Sequence, residues 1–143
     1  MVTNSIVGKG TKIWHPETSN IYGCKIGKDC NISALVEIRK TVEIGNRCKI
    51  QPFVFIPEGV HIGNDVFIGP HVCFTNDKYP VVEGFTDFRE TFVGDHVNIG
   101  ANVTIVCGIE IGVYATVGAG AVVTKNVLPH TTVVGNPAKI LTK

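Results

Sequence analysis

Broken every six positions, residues 26–74 read IGKDCN ISALVE IRKTVE IGNRCK IQPFVF IPEGVH IGNDVF IGPHVC F. Every block opens on a large apolar residue: Ile26, Ile32, Ile38, Ile44, Ile50, Ile56, Ile62, Ile68 and Phe74. The fifth place is always Cys or Val, from Cys30, Val36, Val42 and Cys48 to Val54, Val60, Val66 and Val72. The frame lapses after Phe74 and returns at Val93, Ile99, Ile105, Ile111, Val117 and Val123. Fifth places there are Val97, Val103, Ile109, Ala115, Ala121 and Val127, and Gly often holds the second place, as in Gly27, Gly45, Gly63 and Gly69.

A helix needs apolar residues at a period near 3.6, and a six-residue period smears them around its surface. A strand alternates faces with period two, so places one and five of each block point the same way. Short strands joined by tight turns then close a narrow prism, with three blocks to a coil and residues eighteen apart stacked along a face. Cys30 is expected beneath Cys48, and Ile26 beneath Ile44 and Ile62. Gly is expected to supply the turns. Toward the N-terminus Val7 and Ile13 hold the frame. The Trp14–Ser19 segment carries an extra residue before Asn20 and Cys24 resume it, and Trp14 reads as a cap or interface residue.

Composition agrees with a thin core. Of 143 residues, 44% are hydrophobic and 17% charged, with 16 Gly but one Trp and one Met. A net charge of +1 without a basic stripe gives a nucleic-acid partner no electrostatic support. No apolar run approaches the roughly 18 residues of a membrane span and no signal peptide is visible, which points to the cytoplasm. The five cysteines, Cys24, Cys30, Cys48, Cys73 and Cys107, have no C-x-x-C or zinc spacing and read as reduced thiols, three of them in the core. The chain reads as a single β-helix domain over 1–143, with an extruded loop at about 77–91 and a C-terminal tail at 129–143.

The blocks, the segment Ile68-Gly69-Pro70-His71-Val72, the run Gly118–Lys125 and the segment Val134-Gly135-Asn136-Pro137-Ala138-Lys139 together resemble the hexapeptide-repeat acyltransferases. Cys48–Gln51, Phe74-Thr75-Asn76 and Asn102–Gly108 resemble one branch of them, which N-acetylates nucleotide-linked 3-amino sugars for O-antigen synthesis. The resemblance implies an all-β, left-handed parallel β-helix, although parallel crossovers in general are right-handed. It also implies homotrimers with active sites between subunits, acetyl-CoA as co-substrate, a nucleotide-sugar acceptor carried on UDP or dTDP, and no metal.

Acyl transfer from a thioester to an amine needs a neutral amine, an outlet for its proton and donors for the developing oxyanion. Relatives that acetylate hydroxyls commonly place a catalytic His before a Pro downstream of Ile-Gly-Pro, whereas here Tyr79 precedes Pro80. That departure disfavours an alcohol acceptor. In the amino-sugar branch the Asn matching Asn76 lies at the reacting centre, where it would orient the amine or the thioester, and the departing thiolate takes the proton. His71 is the second catalytic candidate, set against a plain surface role. Glu37, Arg39, Gln51, Tyr79 and Arg89 are candidates for substrate binding, with an intersubunit salt bridge as the rival reading of Glu37 and Arg39. The resemblance puts pantetheine against exposed backbone around Ala101, Cys107 and Ala119, and phosphates near Lys125, Asn136 and Lys139.

Rival readings are a sugar or serine O-acetyltransferase, a non-catalytic β-helix, and a carbonic-anhydrase-like β-helix. The last takes two zinc ligands from an H-x4-H spacing, and no histidine pair here has it.

Overall fold

A computed structural model describes residues 1–142. The strands are mostly two residues long and assort into three parallel sheets that form the faces of a prism. Face I holds Asn20–Tyr22, Glu37–Ile38, Phe55–Ile56, Cys73–Phe74, Thr104–Ile105 and Val122–Val123, with Val2–Thr3 at its lower edge. Face II runs from Ile6–Val7 through Lys25–Ile26, Glu43–Ile44, Val60–Ile62 and Thr91–Val93 to Glu110–Ile111. Face III starts at Lys12–Ile13 and climbs through Asn31–Ile32, Lys49–Ile50, Phe67–Ile68, Asn98–Ile99 and Thr116–Val117. Thr132–Val134 and Lys139–Ile140 close its upper end as an antiparallel pair.

The eighteen-residue stack is observed in register. Ile26 pairs with Ile44 and Ile44 with Ile62, while the Cys48 N–H lies 3.4 Å from Cys30 Sγ. First and fifth places of the blocks form one continuous core of Ile, Val, Cys and Ala with Phe74 as its largest member. Cys24, Cys30 and Cys48 belong to it. Each coil offers a similar narrow slot to the one below, so aliphatic side chains of similar size recur in it.

Two details of the turns differ from expectation. The left-handed residue of a block is the fourth and is seldom Gly: Asp29, Leu35, Thr41, Arg47, Phe53, Asp65, His71, His96, Asn102 and Tyr114 all have φ between 56° and 67°. Second-place Gly serves close approach instead. A Cβ on Gly45 would lie 2.6 Å from the Gly63 carbonyl carbon in the coil above. The residue after that Gly then reaches down, so that Asn46 Oδ1, Asn64 Oδ1 and Asp95 Oδ1 accept from the N–H groups of Lys28, Asn46 and Asn64 at 2.7–2.8 Å. These bonds satisfy amides that the tight corner would leave orphaned.

The irregular first coil also needs correction. Ile21, not Asn20, occupies the core slot, pairing with Ile38 while Asn20 is exposed. Between Ile13 and Ile21 the corner holds two extra residues, accommodated by a 3-10 turn at Pro16–Thr18, and the next corner is one residue short through Gly23. The net gain is the single residue that the sequence suggests. Trp14 is exposed at this end and donates to Asn31 Oδ1.

Candidate functional site

The corner between faces I and II carries the chemistry. Pairing of Phe55 with Cys73, Cys73 with Thr104 and Thr104 with Val122 puts Glu58, Asn76, Cys107 and Lys125 in one ascending column. Asn76 Nδ2 donates to the Glu58 carbonyl and to Glu58 Oε2, both at 3.3 Å. Glu58 Oε2 lies 3.8 Å from Arg39 Nη1, and Arg39 Nε donates to Glu37 Oε1 at 2.6 Å. The guanidinium also sits 5.0 Å above the Phe55 ring. The hydrogen bond to Glu37 holds the Arg39 pKa above its ordinary value against the opposing effect of burial, and the Glu37 and Glu58 charges reinforce it.

Glu37, Arg39 and Asn76 are thus brought together, with Glu58 as the link that sequence reasoning missed. Its signal was available, since Glu58 stands eighteen residues before Asn76. Two carboxylates face one guanidinium, so the group has an excess negative charge and Arg39 is already paired.

The loop leaves this same corner after Asn76 and returns at Thr91. Its neck is closed by the antiparallel bridge of Asp77 with Phe88 and by bonds from Lys78 N to Asp87 O (2.9 Å) and Arg89 N to Asn76 O (3.0 Å). Asp77 Oδ1 accepts from the N–H groups of Tyr79 and Asp87, tying both strands of the neck. Phe88 and Arg89 occupy the space beside the two corner glycines. A Cβ on Gly59 would come within 2.6 Å of Phe88 Cζ, and one on Gly108 within 2.8 Å of Arg89 Cδ. Arg89 forms a bidentate pair with Asp87 at 3.1 and 2.9 Å, which lowers the Asp87 pKa and raises its own. At the tip Tyr79, Val81, Val82 and Phe85 are exposed.

Other candidates lie elsewhere. His71 sits at the opposite end of the strand Cys73–Phe74, on the corner between faces III and I, with φ 62° and its ring stacked on Phe53 at 4.6 Å. Gln51, Ala101 and Ala119 share that corner, where Ala119 and Gly120 leave the backbone open. Lys125, Asn136 and Lys139 are exposed near the top of the prism. Cys107 corrects the expectation of exposed backbone: it is 1% exposed, and its N–H donates to Thr75 Oγ1. The Arg89 stem over Gly108 closes that position from outside. Outward-facing Cys73 is half-buried, which pushes its thiol pKa up and suits it poorly to nucleophilic work.

A depression of about 510 Å³ lies on face II, lined by Glu43, His61, Phe92, Glu110, Val113 and Pro129 among others, and not at Asn76. Among the described residues no group of three or more His, Cys, Asp or Glu side chains is placed to hold a metal ion. No helix among them is long and apolar enough to cross a membrane.

Known proteins share this architecture. Residues 23–58 and 41–76 match the bacterial transferase hexapeptide (six repeats), and residues 91–125 the hexapeptide repeat of succinyl-transferase, so the matches together take in well over half of the chain. Over 61 residues, 43% of this chain, it is 39% identical to a protein of Staphylococcus aureus (strain COL) named as an acetyltransferase, spanning 31% of that protein. It is 47% identical to the serine acetyltransferase of Buchnera aphidicola subsp. Schizaphis graminum over 55 residues, 38% of this chain and 21% of that one. The chain therefore spans less than a third of the length of these relatives. Among solved structures, the N-acyltransferase AntD from Bacillus cereus, in complex with dTDP and coenzyme A, superimposes with a TM-score of 0.84 at 20% identity, covering 96% of this chain and 82% of that one. Perosamine N-acetyltransferase from Caulobacter crescentus, in complex with CoA and GDP-perosamine, gives 0.74 at 20% identity over 100% and 58%. A hexapeptide-repeat acetyltransferase of Vibrio cholerae O1 biovar eltor, complexed with acetyl coenzyme A, gives 0.60 at 26% identity over 99% and 71%.

Proposed function

We propose, from the premise that this chain belongs to the bacterial hexapeptide-repeat transferase family, that it is an acetyl-CoA-dependent N-acetyltransferase. Its acceptor on this reading is the amino group of a nucleotide-linked 3-amino sugar destined for a surface polysaccharide. The observation that carries the proposal is the corner built from Asn76, Glu58, Arg39 and Glu37, which offers an amide and an excess negative charge and, within one subunit, no histidine bonded to them among the described residues. A negative site attracts an ammonium ion. An amine, once neutral, attacks without a strong base, whereas a hydroxyl needs one. The place where hydroxyl acetylators commonly carry a His holds Tyr79, which is 65% exposed at the loop tip.

Acetyl-CoA would supply an acyl thioester whose thiolate is a good leaving group. The amine nitrogen bonds to the acyl carbon, the carbon–sulfur bond breaks with its electron pair going to sulfur, and the surplus N–H proton ends on the thiolate. Asn76 orients the amine, and Glu37 and Arg39 flank the sugar.

The residues suited to coenzyme A fit it in two groups. Ala119 and Gly120 leave open backbone on the corner between faces III and I, above the half-buried Ala101, and an extended chain can run along it. Lys125 stands on the Asn76 column, and Lys139 and Asn136 at the top, as exposed partners for phosphates. Two corners of one prism are separated by a whole face. That separation supports a trimer in which the Asn76 corner of one subunit meets the Ala101–Ala119 corner of its neighbour, with His71 and Gln51 entering from the neighbour's side.

The deciding assay follows free-thiol release from acetyl-CoA with UDP- and dTDP-linked 3-amino and 4-amino sugars, with hydroxyl acceptors as controls. Release with an amino sugar supports N-acetylation and identifies the acceptor. Release with hydroxyl acceptors alone replaces this reading by O-acetylation. No release and no CoA binding leaves a non-catalytic β-helix.

A further inference from the structure

Resting on that reading, we infer that Glu58 is a positioning residue that fixes which end of the Asn76 amide faces the acceptor. This restricts Asn76 to accepting a hydrogen from the incoming amine. A side-chain amide has a donating and an accepting end of nearly equal size, so its surroundings choose the orientation. The two atoms nearest the end assigned as nitrogen are the Glu58 carbonyl oxygen and Glu58 Oε2, at 3.3 Å each. A carbonyl and a carboxylate only accept. Turning the amide over would lose both hydrogen bonds and set Asn76 Oδ1 against two oxygens.

The carboxylate is itself held in place. Arg39 Nη1 stands 3.8 Å from Glu58 Oε2, while Arg39 is pinned by its 2.6 Å bond to Glu37 and by the Phe55 ring beneath it. The Glu58 side chain is 22% exposed, so solvent competes weakly for it. Arg39 and Glu37, the candidates for substrate binding that flank the sugar on that reading, thereby also serve the orientation of Asn76. Among the described residues, Oδ1 accepts no hydrogen bond and is free to meet a ligand.

With its nitrogen engaged by Glu58, Asn76 has only its oxygen to offer, which cannot stabilise an oxyanion or polarise a thioester carbonyl, so of the two roles open to Asn76 only the amine role remains. It also discriminates between nucleophiles. An amine that gives one hydrogen to Oδ1 keeps its lone pair for attack and loses a proton only afterwards. A hydroxyl in the same position has its single proton engaged by an amide oxygen, which is far too weak a base to remove it.

The test has one arm that needs no turnover. In 15N-labelled full-length protein without substrate, the Asn76 side-chain NH2 signals, assigned by their loss in Asn76→Ala, are followed from pH 3 to 8 in wild type, Glu58→Gln and Glu58→Ala. We expect a wild-type shift that tracks titration of a carboxylate and disappears in both variants. Signals in wild type that ignore pH and both substitutions would overturn the inference. The second arm is kinetic. Glu58→Ala should lower kcat/KM for the amino sugar by about 10- to 100-fold with the KM for acetyl-CoA unchanged, and Glu58→Gln, whose carbonyl can still accept from Asn76, should recover part of it. A raised KM for acetyl-CoA with no loss toward the amine would place Asn76 on the thioester and refute the assignment. If wild type acetylates no amino sugar, the functional reading fails by itself, and the NMR arm still decides the orientation.

Discussion

Thr91 is completely buried, yet its hydroxyl has no hydrogen-bond partner among the described residues. It occupies a fifth-place core slot, paired with Val60 in the coil below, and the Phe92 N–H reaches the Ile109 carbonyl in the coil above. An unpaired buried hydroxyl costs about 1–3 kcal/mol. Thr91→Val keeps the β-branched shape, so the rotamer restriction is unchanged. It also puts a methyl where the column already holds Val60, Ile109 and Val127. We therefore expect stabilisation by about 1–3 kcal/mol. For a domain of this size roughly 3–4 °C accompanies each kcal/mol, so the melting temperature should rise by about 3–12 °C. Thr91→Ser, which retains the hydroxyl and removes the methyl, should lose about 1 kcal/mol. Thermal unfolding followed by circular dichroism, with urea midpoints as a cross-check, measures both at matched protein concentration, because self-association shifts apparent stability. A Thr91→Val protein no more stable than wild type would refute the reasoning, since the hydroxyl must then have found a partner such as an enclosed water.

Asn76→Ala should lower turnover at least about tenfold, roughly 1.4 kcal/mol, with an unchanged melting curve; kinetics beside circular dichroism separate the two effects. Replacing residues 77–90 by one Gly restores a regular block, with Gly where Gly59 and Gly108 stand in the coils below and above. That variant should fold as a β-helix without activity, and failure to fold would make the loop structural. Gly45→Ala should destabilise by about 1–3 kcal/mol in urea titrations, because its Cβ would meet Asn64 Oδ1 at 2.5 Å and backbone at 2.6 Å. Asp65 has its pKa lowered from the ordinary carboxylate value, first by the hydrogen bonds from Arg47. The depressed value means that its contribution is present above the unfolded pKa and lost as pH falls through the folded one. Asp65→Asn should therefore melt lower than wild type at neutral pH, with the difference closing in acid once the carboxylate is protonated.

The six-residue period determined the three-faced coil, its hand excepted, because each core slot admits only a narrow range of side-chain volumes and β-branched residues recur in it. The stacking of Cys30 under Cys48 and of Ile26 under Ile44 follows from counting alone, and so does the interruption after Asn76. Residues eighteen apart are neighbours, so Glu58 too was within reach of the sequence. Its meaning was not, because a column index says nothing of which atoms meet or which end of an amide they choose. The role of the second-place glycines was misjudged for a related reason. A chain read in one dimension shows a turn former, and only the coil above reveals that a Cβ has no room. The slip between Asn20 and Ile21 arose where two irregular corners compensate, and a net count cannot apportion insertions between them. What the tertiary structure alone decided is the partition of the candidate residues. Asn76, Glu58, Arg39 and Glu37 converge through side-chain directions at one corner, while His71 and the small residues of the upper coils lie on another, a whole face away.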